Sequence, residues 1–475
     1  VADLLKINVS KREGRQLLLW AALLTALTCV PAVVGWGHSS GEWTYTGLTL
    51  SPADGNTYLN KMQQGYSGAW LFSIAYTSEP HLPAFLHPYY LLLGHLAGWL
   101  GLPLGLMFQL ARAVNCYLLL VTVYVFLAML WPQPHKRMIG FWFIVLSSGL
   151  GWLFIFFNIP TTDLHVPESI TFSTLLVNPH FPLATSLILM ALMAGAWALY
   201  RQSWGAAVLA GVIQVLLLVV HPYDIVITGT TLGLFFLGGW LIHRHWPWQR
   251  GFYLATGWLI CLPVAWYNFA LYTGNEVWRL WQTQAPPPTP PPLEFGLGYG
   301  GILLLAVAGG YAVIKSNQTE RSGPIQLALI WASAIPVLMF APLPLLESVQ
   351  VRFSEGLHIP LAILAVEGLY FITTRWFKLS IPPAKVWAPA LLFLSLTSGL
   401  LGVSTLWRLS NPAAPWFYTR DDLAAMRWLA ANSRPDDVVL SLEWSGNHLP
   451  AEANLRVYVG HLYETINYAA KLEQA

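Results

Sequence analysis

The sequence predicts an α-helical polytopic membrane protein with about eleven crossings, interfacial helices in its first outer loop and a small C-terminal α/β segment. Three observations predict this class. Of the 475 residues, 56% are hydrophobic and 10% charged, against roughly 25% charged in a soluble domain. Apolar stretches near the roughly 20 residues that span a hydrocarbon layer recur along the chain. Lysine and arginine return after every second stretch, as expected where basic side chains gather on the cytoplasmic side.

Lys6, Lys11, Arg12 and Arg15 precede the first apolar stretch, Leu17 to Trp36. Its length exceeds a signal-peptide core and no small-residue cleavage site follows, so it is expected to be a retained anchor. The N-terminus is then cytoplasmic, and the long polar segment from about 37 to 111 lies outside. Lys136 with Arg137, Arg201, His243 to Arg250, Lys315 with Arg321, and Arg375 with Lys378 and Lys385 fit the same alternation. They fit it only if "HPYYLLLGHLAGWLGLP" does not cross. That stretch is short for a span, and is expected to lie in the outer interface with Tyr89, Tyr90 and Trp99 as anchors. The remaining spans are expected at about Arg112 to Trp131, Met138 to Asn158, Pro182 to Tyr200, Trp204 to Val220, Ile225 to Ile242, Phe252 to Leu271, Phe295 to Ile314, Ile325 to Leu343, Leu357 to Ile372 and Val386 to Trp407. The transmembrane part thus covers residues 1–407, and the C-terminal segment 408–475 lies outside the membrane.

Within that segment, "YTRDDLAAMRWLAAN" reads as an amphipathic helix with Leu423, Met426 and Leu429 on one face. A turn at Pro435, a buried strand "VVLSL" and a second short strand "RVYVG" follow. The segment is short for a core of its own, so it is expected to pack on the membrane part or to continue past Ala475. The proline run "APPPTPPPLE" lacks amide donors and conformational freedom and is expected to be extended and stiff, as a lid or as a spacer. Cys29, Cys116 and Cys261 lie in apolar stretches and read as buried thiols, with neither a disulfide framework nor a zinc site. A formal charge of +2 with no basic run excludes a nucleic-acid partner.

Four short segments occur in order: "ADGNTYL" with its early outer-loop aspartate, "HPYYLLLGHLAGWLG", "LARAVN" opening the next span, and the late "VRFSEGLHIPLAILAVEGLY". Together they resemble the GT-C superfamily of integral-membrane glycosyltransferases, in particular its protein-mannosyltransferase and aminoarabinose-transferase branch. The tail "GNHLPAEANLRVYVGHLYETINY" is similar to extracytoplasmic tails of uncharacterised bacterial members. The resemblance implies a GT-C-like fold in a bacterial inner membrane. It implies a polyprenyl-phosphate-linked sugar as donor, a glycan, lipid or protein acceptor reached from outside, and a divalent metal as a further option. By position Asp54 matches the family's first-loop acid, which acts as base or as a metal and acceptor contact. Many members carry two adjacent acids there, whereas Gly55 follows Asp54.

The chemistry supports the same residue. Glycosyl transfer to a hydroxyl needs a group to take the acceptor proton, and a positioned carboxylate does so. Glu79 or Asp163, with Glu168 beside it, are candidates for a further carboxylate. The leaving lipid phosphate needs cationic donors at the membrane edge, for which guanidinium is suited. Arg352 and Arg112 stand at outer span ends. Each has an alternative reading, in which it snorkels to headgroups or pairs with a neighbour such as Glu347 or Glu355. His180, His221 and Asp224 lie near outer span ends and, with Glu355, are candidates for substrate or supporting groups, and His448, His461 and Glu464 in the tail either face the site or lie on the surface of the tail. Membrane lipid is an expected partner throughout. The alternative function is a catalytically silent GT-C-like subunit that anchors a larger membrane complex, for which the single acid in "ADG" is the signature. A pigment or haem protein lacks a facing histidine pair at matching depth, and a transporter would carry mid-span charges and an inverted repeat.

Overall fold

The computed structural model describes residues 7–243, 248–284, 289–316, 323–343, 347–379, 384–434 and 436–475. Among them, nine helices are long and apolar enough to cross a membrane, and ten if the pair Ala384–Leu394 and Leu396–Leu409, bent by 48°, is one broken span. The helix Trp204–Val220 is apolar but has 17 residues, or about 26 Å at 1.5 Å per residue, the lower limit of a crossing. It accounts for the eleventh expected stretch. The turn expected at Pro435, the first half of the proline run and parts of the basic loops at 243–250 and 315–321 lie outside the described residues.

The first helix, Lys11–Gly37, starts at Ser10, whose hydroxyl accepts from the Glu13 amide while the Glu13 side chain accepts from the Ser10 amide. Glu13 is buried here because it also meets Arg137 at 2.9 Å and accepts from the Tyr124 hydroxyl at 2.6 Å. The start of the first helix and the turn before the helix Pro134–Leu146 therefore share one end of the bundle. The other end of the first helix leads to a strand, Trp43–Tyr45, that pairs antiparallel with Phe417–Thr419. Because a 27-residue helix is about 40 Å long, the C-terminal tail lies at the end of the bundle opposite Ser10. An odd number of crossings is what that requires.

Helix packing is closest at paired glycines. A Cβ on Gly309 would lie 1.9 Å from the Leu364 carbonyl oxygen, and one on Gly368 2.1 Å from that of Leu305. The helices Pro292–Lys315 and His358–Phe377 thus touch backbone to backbone, the contact that small residues provide where lipid competes for apolar surface.

The segment between the first two spans folds as two helices, Pro52–Tyr66 and Pro88–Leu100. They cross the same way: a Cβ on Gly94 would come 1.9 Å from the Met62 carbonyl oxygen. Pro88–Leu100, at 13 residues, is about 20 Å long and too short to span. Its expected anchors behave differently from one another. Trp99 is 70% exposed, but Tyr90 is buried, with its hydroxyl 2.6 Å from His180 Nδ1, and the Tyr89 hydroxyl accepts from Asn115. Tyr90 is a core residue, not a headgroup anchor.

The tail is mostly helical, with Arg420–Asn432, Glu443–Ala453 and Tyr468–Gln474. Leu423 and Met426 face inward as the periodicity predicts. The expected strands shrink to a two-residue parallel pair, Val438–Val439 with Arg456–Val457. "VVLSL" is not buried, since Leu440 and Leu442 are exposed. The physical reason is that the tail spends its apolar residues on the first loop instead of on a sheet: Leu449 and Val457 pack with Tyr76, and Asn56 donates to Asn447.

Candidate functional site

The helix Pro52–Tyr66 brings Asp54, Tyr58 and Lys61 onto one face, because residues four and seven positions apart lie above one another on a helix. Tyr58 and Lys61 line a cavity completed by His87, Tyr90, His180, His221, Arg352, Trp281 and Glu464. Asp54 stands one turn before Tyr58. Its carboxylate is half exposed and lies 3.2 Å from His461 Nε2. Burial pushes its pKa up, but the His461 hydrogen bond and the charges of His461 and Arg352 outweigh that and hold Asp54 below the ordinary carboxylate range.

Arg352 comes from the 3-10 helix Glu347–Ser354. Its Nη1 lies 3.1 Å from Glu168 Oε1, and 30% of its side chain remains exposed, so the guanidinium keeps free donors toward the cavity. Lys61 is buried and pairs with Glu464 at 2.7 Å, while Trp281 donates to the other Glu464 oxygen at 2.9 Å. Burial opposes ionisation of Glu464, yet the Lys61 ammonium prevails and takes its pKa down to about 2. Loss of solvent and the same ammonium push His87 down to about 3, leaving it neutral. Tyr58 stacks on Tyr90 with ring centroids 4.6 Å apart and leans on His180 at 4.7 Å. The wall is aromatic, with charge concentrated at a few points.

Beneath it, His221 Nδ1 lies 3.0 Å from Asp224 Oδ2 and 2.9 Å from Glu355 Oε2, all three residues being buried. Their ligand atoms lie within 4.8 Å of one another, a spacing compatible with a metal ion.

Asp54, Arg352, His180, His221 and Glu355 therefore belong to one region of the protein, and Glu168 joins them through Arg352. Other residues singled out in the sequence lie elsewhere. Arg112 is fully buried and donates to Gln109 and to the carbonyls of Leu175 and Thr28, at 2.6–2.9 Å. It ties helices together and has no place on the cavity wall. Glu79 pairs with Lys471 at 2.6 Å and accepts from Thr77, which fastens the last helix to the first loop. Asp163 is buried beside Gly151, whose amide it accepts at 3.0 Å, and burial raises its pKa. Neither carboxylate stands with Asp54. His448 accepts or donates at Asn56 and Tyr418 and is part of the tail's docking. Lys61, Tyr58, His87 and Trp281 were not singled out; the spacing of Asp54, Tyr58 and Lys61 was the signal available for the first two.

These features define a polytopic integral-membrane protein, with a cavity where the first loop, the tail and the helix ends meet. No family model matches the sequence, and no curated protein matches it. The fold is similar to the crystal structure of ArnT from Cupriavidus metallidurans bound to undecaprenyl phosphate, with a TM-score of 0.51 over 92% of this chain and 85% of that one. At 12% identity the likeness is one of fold.

Proposed function

We propose that the protein is a membrane glycosyltransferase that moves a sugar from a polyprenyl-phosphate donor to an acceptor at the outer face of a bacterial inner membrane. The observation that carries the reading is that a half-exposed, ionised carboxylate, Asp54, stands one helical turn from Tyr58 of an aromatic cavity and feels the charge of a partly free guanidinium, Arg352, on the wall of that cavity. The similarity in fold to a protein bound to undecaprenyl phosphate supports the choice of donor. Arg352 holds the donor phosphate, with a guanidinium paired on one side by Glu168 and open on the other. Asp54 takes the proton of the acceptor hydroxyl as its oxygen bonds to the anomeric carbon and the bond from that carbon to phosphate breaks. His461 orients the carboxylate. The alternation of the basic loops supports a cytoplasmic N-terminus and an outward-facing cavity.

A second reading, a silent subunit of a larger membrane assembly, is favoured by one feature. A Cβ at position 55 would meet the Leu48 side-chain methyls at 2.6 Å, so an acid beside Asp54 would require Leu48 to move. Mass spectrometry of the purified protein separates the two readings. A bound polyprenyl phospho-sugar, released as free polyprenyl phosphate on adding acceptor extract, supports the transferase. Stoichiometric copurifying membrane subunits with no such lipid support the silent subunit.

A further inference from the structure

We propose that His221, Asp224 and Glu355 bind one divalent first-row transition cation, of the zinc type, at the base of the cavity. The three side chains carry this on their own, independently of the transfer reaction. His221 ends the helix Trp204–Val220, Asp224 follows one turn on, and Glu355 comes just after the 3-10 helix Glu347–Ser354. Two backbone segments, one carrying His221 and Asp224 three residues apart and the other carrying Glu355, thus deliver one nitrogen and two carboxylates to a single point.

The close distances are not good hydrogen bonds. His221 Nδ1, both Asp224 oxygens and Glu355 Oε2 are buried, and none of them makes a hydrogen bond of acceptable geometry. Only Glu355 Oε1 is engaged, by the Thr185 hydroxyl at 3.4 Å. Buried polar atoms without partners are strongly disfavoured. Here three of them, one from each residue, face one another, and what they lack is a shared acceptor of lone pairs. A cation between them meets that need with no change of fold.

Charge and geometry select the ion. A neutral imidazole with two carboxylates carries two negative charges, matched by a divalent cation. Bonds of about 2.0–2.2 Å in a tetrahedral site set ligand atoms about 3.4 Å apart. The observed 2.9 and 3.0 Å are a few tenths shorter, within reach of small side-chain rotations. Calcium would want six to eight oxygens, and magnesium and manganese an octahedron rich in oxygen, so the nitrogen ligand and the low ligand number favour zinc. Three protein ligands leave a coordination position open, and His221 lies on the cavity wall, which gives the ion a path in. The competing arrangement is a metal-free cluster held by a protonated imidazole.

The test uses the full chain, purified in detergent without a histidine tag, stripped with a chelator and reloaded with zinc or manganese. Elemental analysis after gel filtration should find about one ion per chain, and below about a tenth in His221→Ala and Glu355→Gln. The melting temperature of the wild type should rise on reloading and fall again with chelator. X-ray absorption on the zinc-loaded wild type should show one imidazole and otherwise oxygen ligands near 2.0 Å, a readout that stands even if a variant fails to fold. The proposal is overturned if the wild type binds neither ion, if both variants retain it fully, or if the spectrum shows sulfur or several imidazoles. None of these readouts depends on glycosyl transfer, so the site and the enzyme reading stand or fall separately.

Discussion

Replacing Asp54 by Asn removes the charge and basicity of the proposed base while keeping its size and one hydrogen-bonding oxygen. Removal of a general base typically costs about 100- to 10,000-fold in rate, which is about 2.7–5.5 kcal/mol of transition-state stabilisation. The structure makes the cost to folding small by comparison. Asp54 is half exposed, its carboxylate contacts His461 at 3.2 Å, and it sits in the first turn of the helix Pro52–Tyr66. The exposed pair contributes about 0–1 kcal/mol and the helix dipole about 0.3–1 kcal/mol. The variant should therefore insert and melt like the wild type. In a transfer assay with a radiolabelled polyprenyl phospho-sugar, kcat should fall at least about 100-fold with donor affinity little changed. The pH profile adds a sign. A base held below the ordinary carboxylate range stays deprotonated at neutral pH, so the wild-type rate should persist on acidification and fail only below the usual value of about 3.9. An Asp54→Asn protein that turns over at the wild-type rate refutes the assignment.

Three further outcomes are expected. Lys61→Met leaves Glu464 charged and unpaired in a buried place, which should cost about 3–5 kcal/mol and expose the tail to protease, whereas Lys61→Met combined with Glu464→Leu should recover most of the loss. Glu464 falls from 4.5 to about 2 on folding, on the order of 3 kcal/mol at about 1.4 kcal/mol per pH unit. That stability is present above pH 4.5 and lost as pH falls toward 2, so the acid limb of a melting curve should flatten in the double variant. Gly94→Ala should separate the two loop helices and destabilise by about 1–3 kcal/mol, while Gly98→Ala, with its nearest neighbour 3.5 Å from the new Cβ, should be tolerated; equal melting temperatures would contradict the crossing. Cysteines at Ser67 and Ser441 should react with an impermeant reagent on intact cells, and protection relieved only by permeabilisation would reverse the proposed orientation.

Much of the helical layout was legible because apolar length is a local property. Each of the expected stretches, from Leu17 to Trp36 through Val386 to Trp407, falls on observed helix, but Met138 to Asn158 is interrupted after Leu146 and resumes as short turns from Gly151, and the last stretch is bent at Ser395. Charge partners were not legible, since they are set by contacts across the chain. Arg352 meets Glu168, 184 residues away, while Arg112, as well placed in sequence, turns inward to the carbonyls of Leu175 and Thr28. The tail misled for a related reason. "VVLSL" has the composition of a buried strand, but the surface that buries the tail is the first loop, and Val438–Val439 alone pairs. Glu464 reaches the cavity, and His461 reaches Asp54, only through that docking. The pairing of His221 with Glu355 likewise joins segments that no short motif connects.

Binding of a polyprenyl phosphate by the purified wild type and by Arg352→Ala tests the central claim most directly, because it requires no knowledge of sugar or acceptor. A charged hydrogen-bonded contact contributes about 1.5–3 kcal/mol, so the wild type should bind the lipid saturably and Arg352→Ala about 10- to 150-fold more weakly. Arg112→Met, away from the cavity, should bind as the wild type does wherever it folds. Equal affinity in the wild type and Arg352→Ala, or no saturable binding by the wild type, would contradict the account.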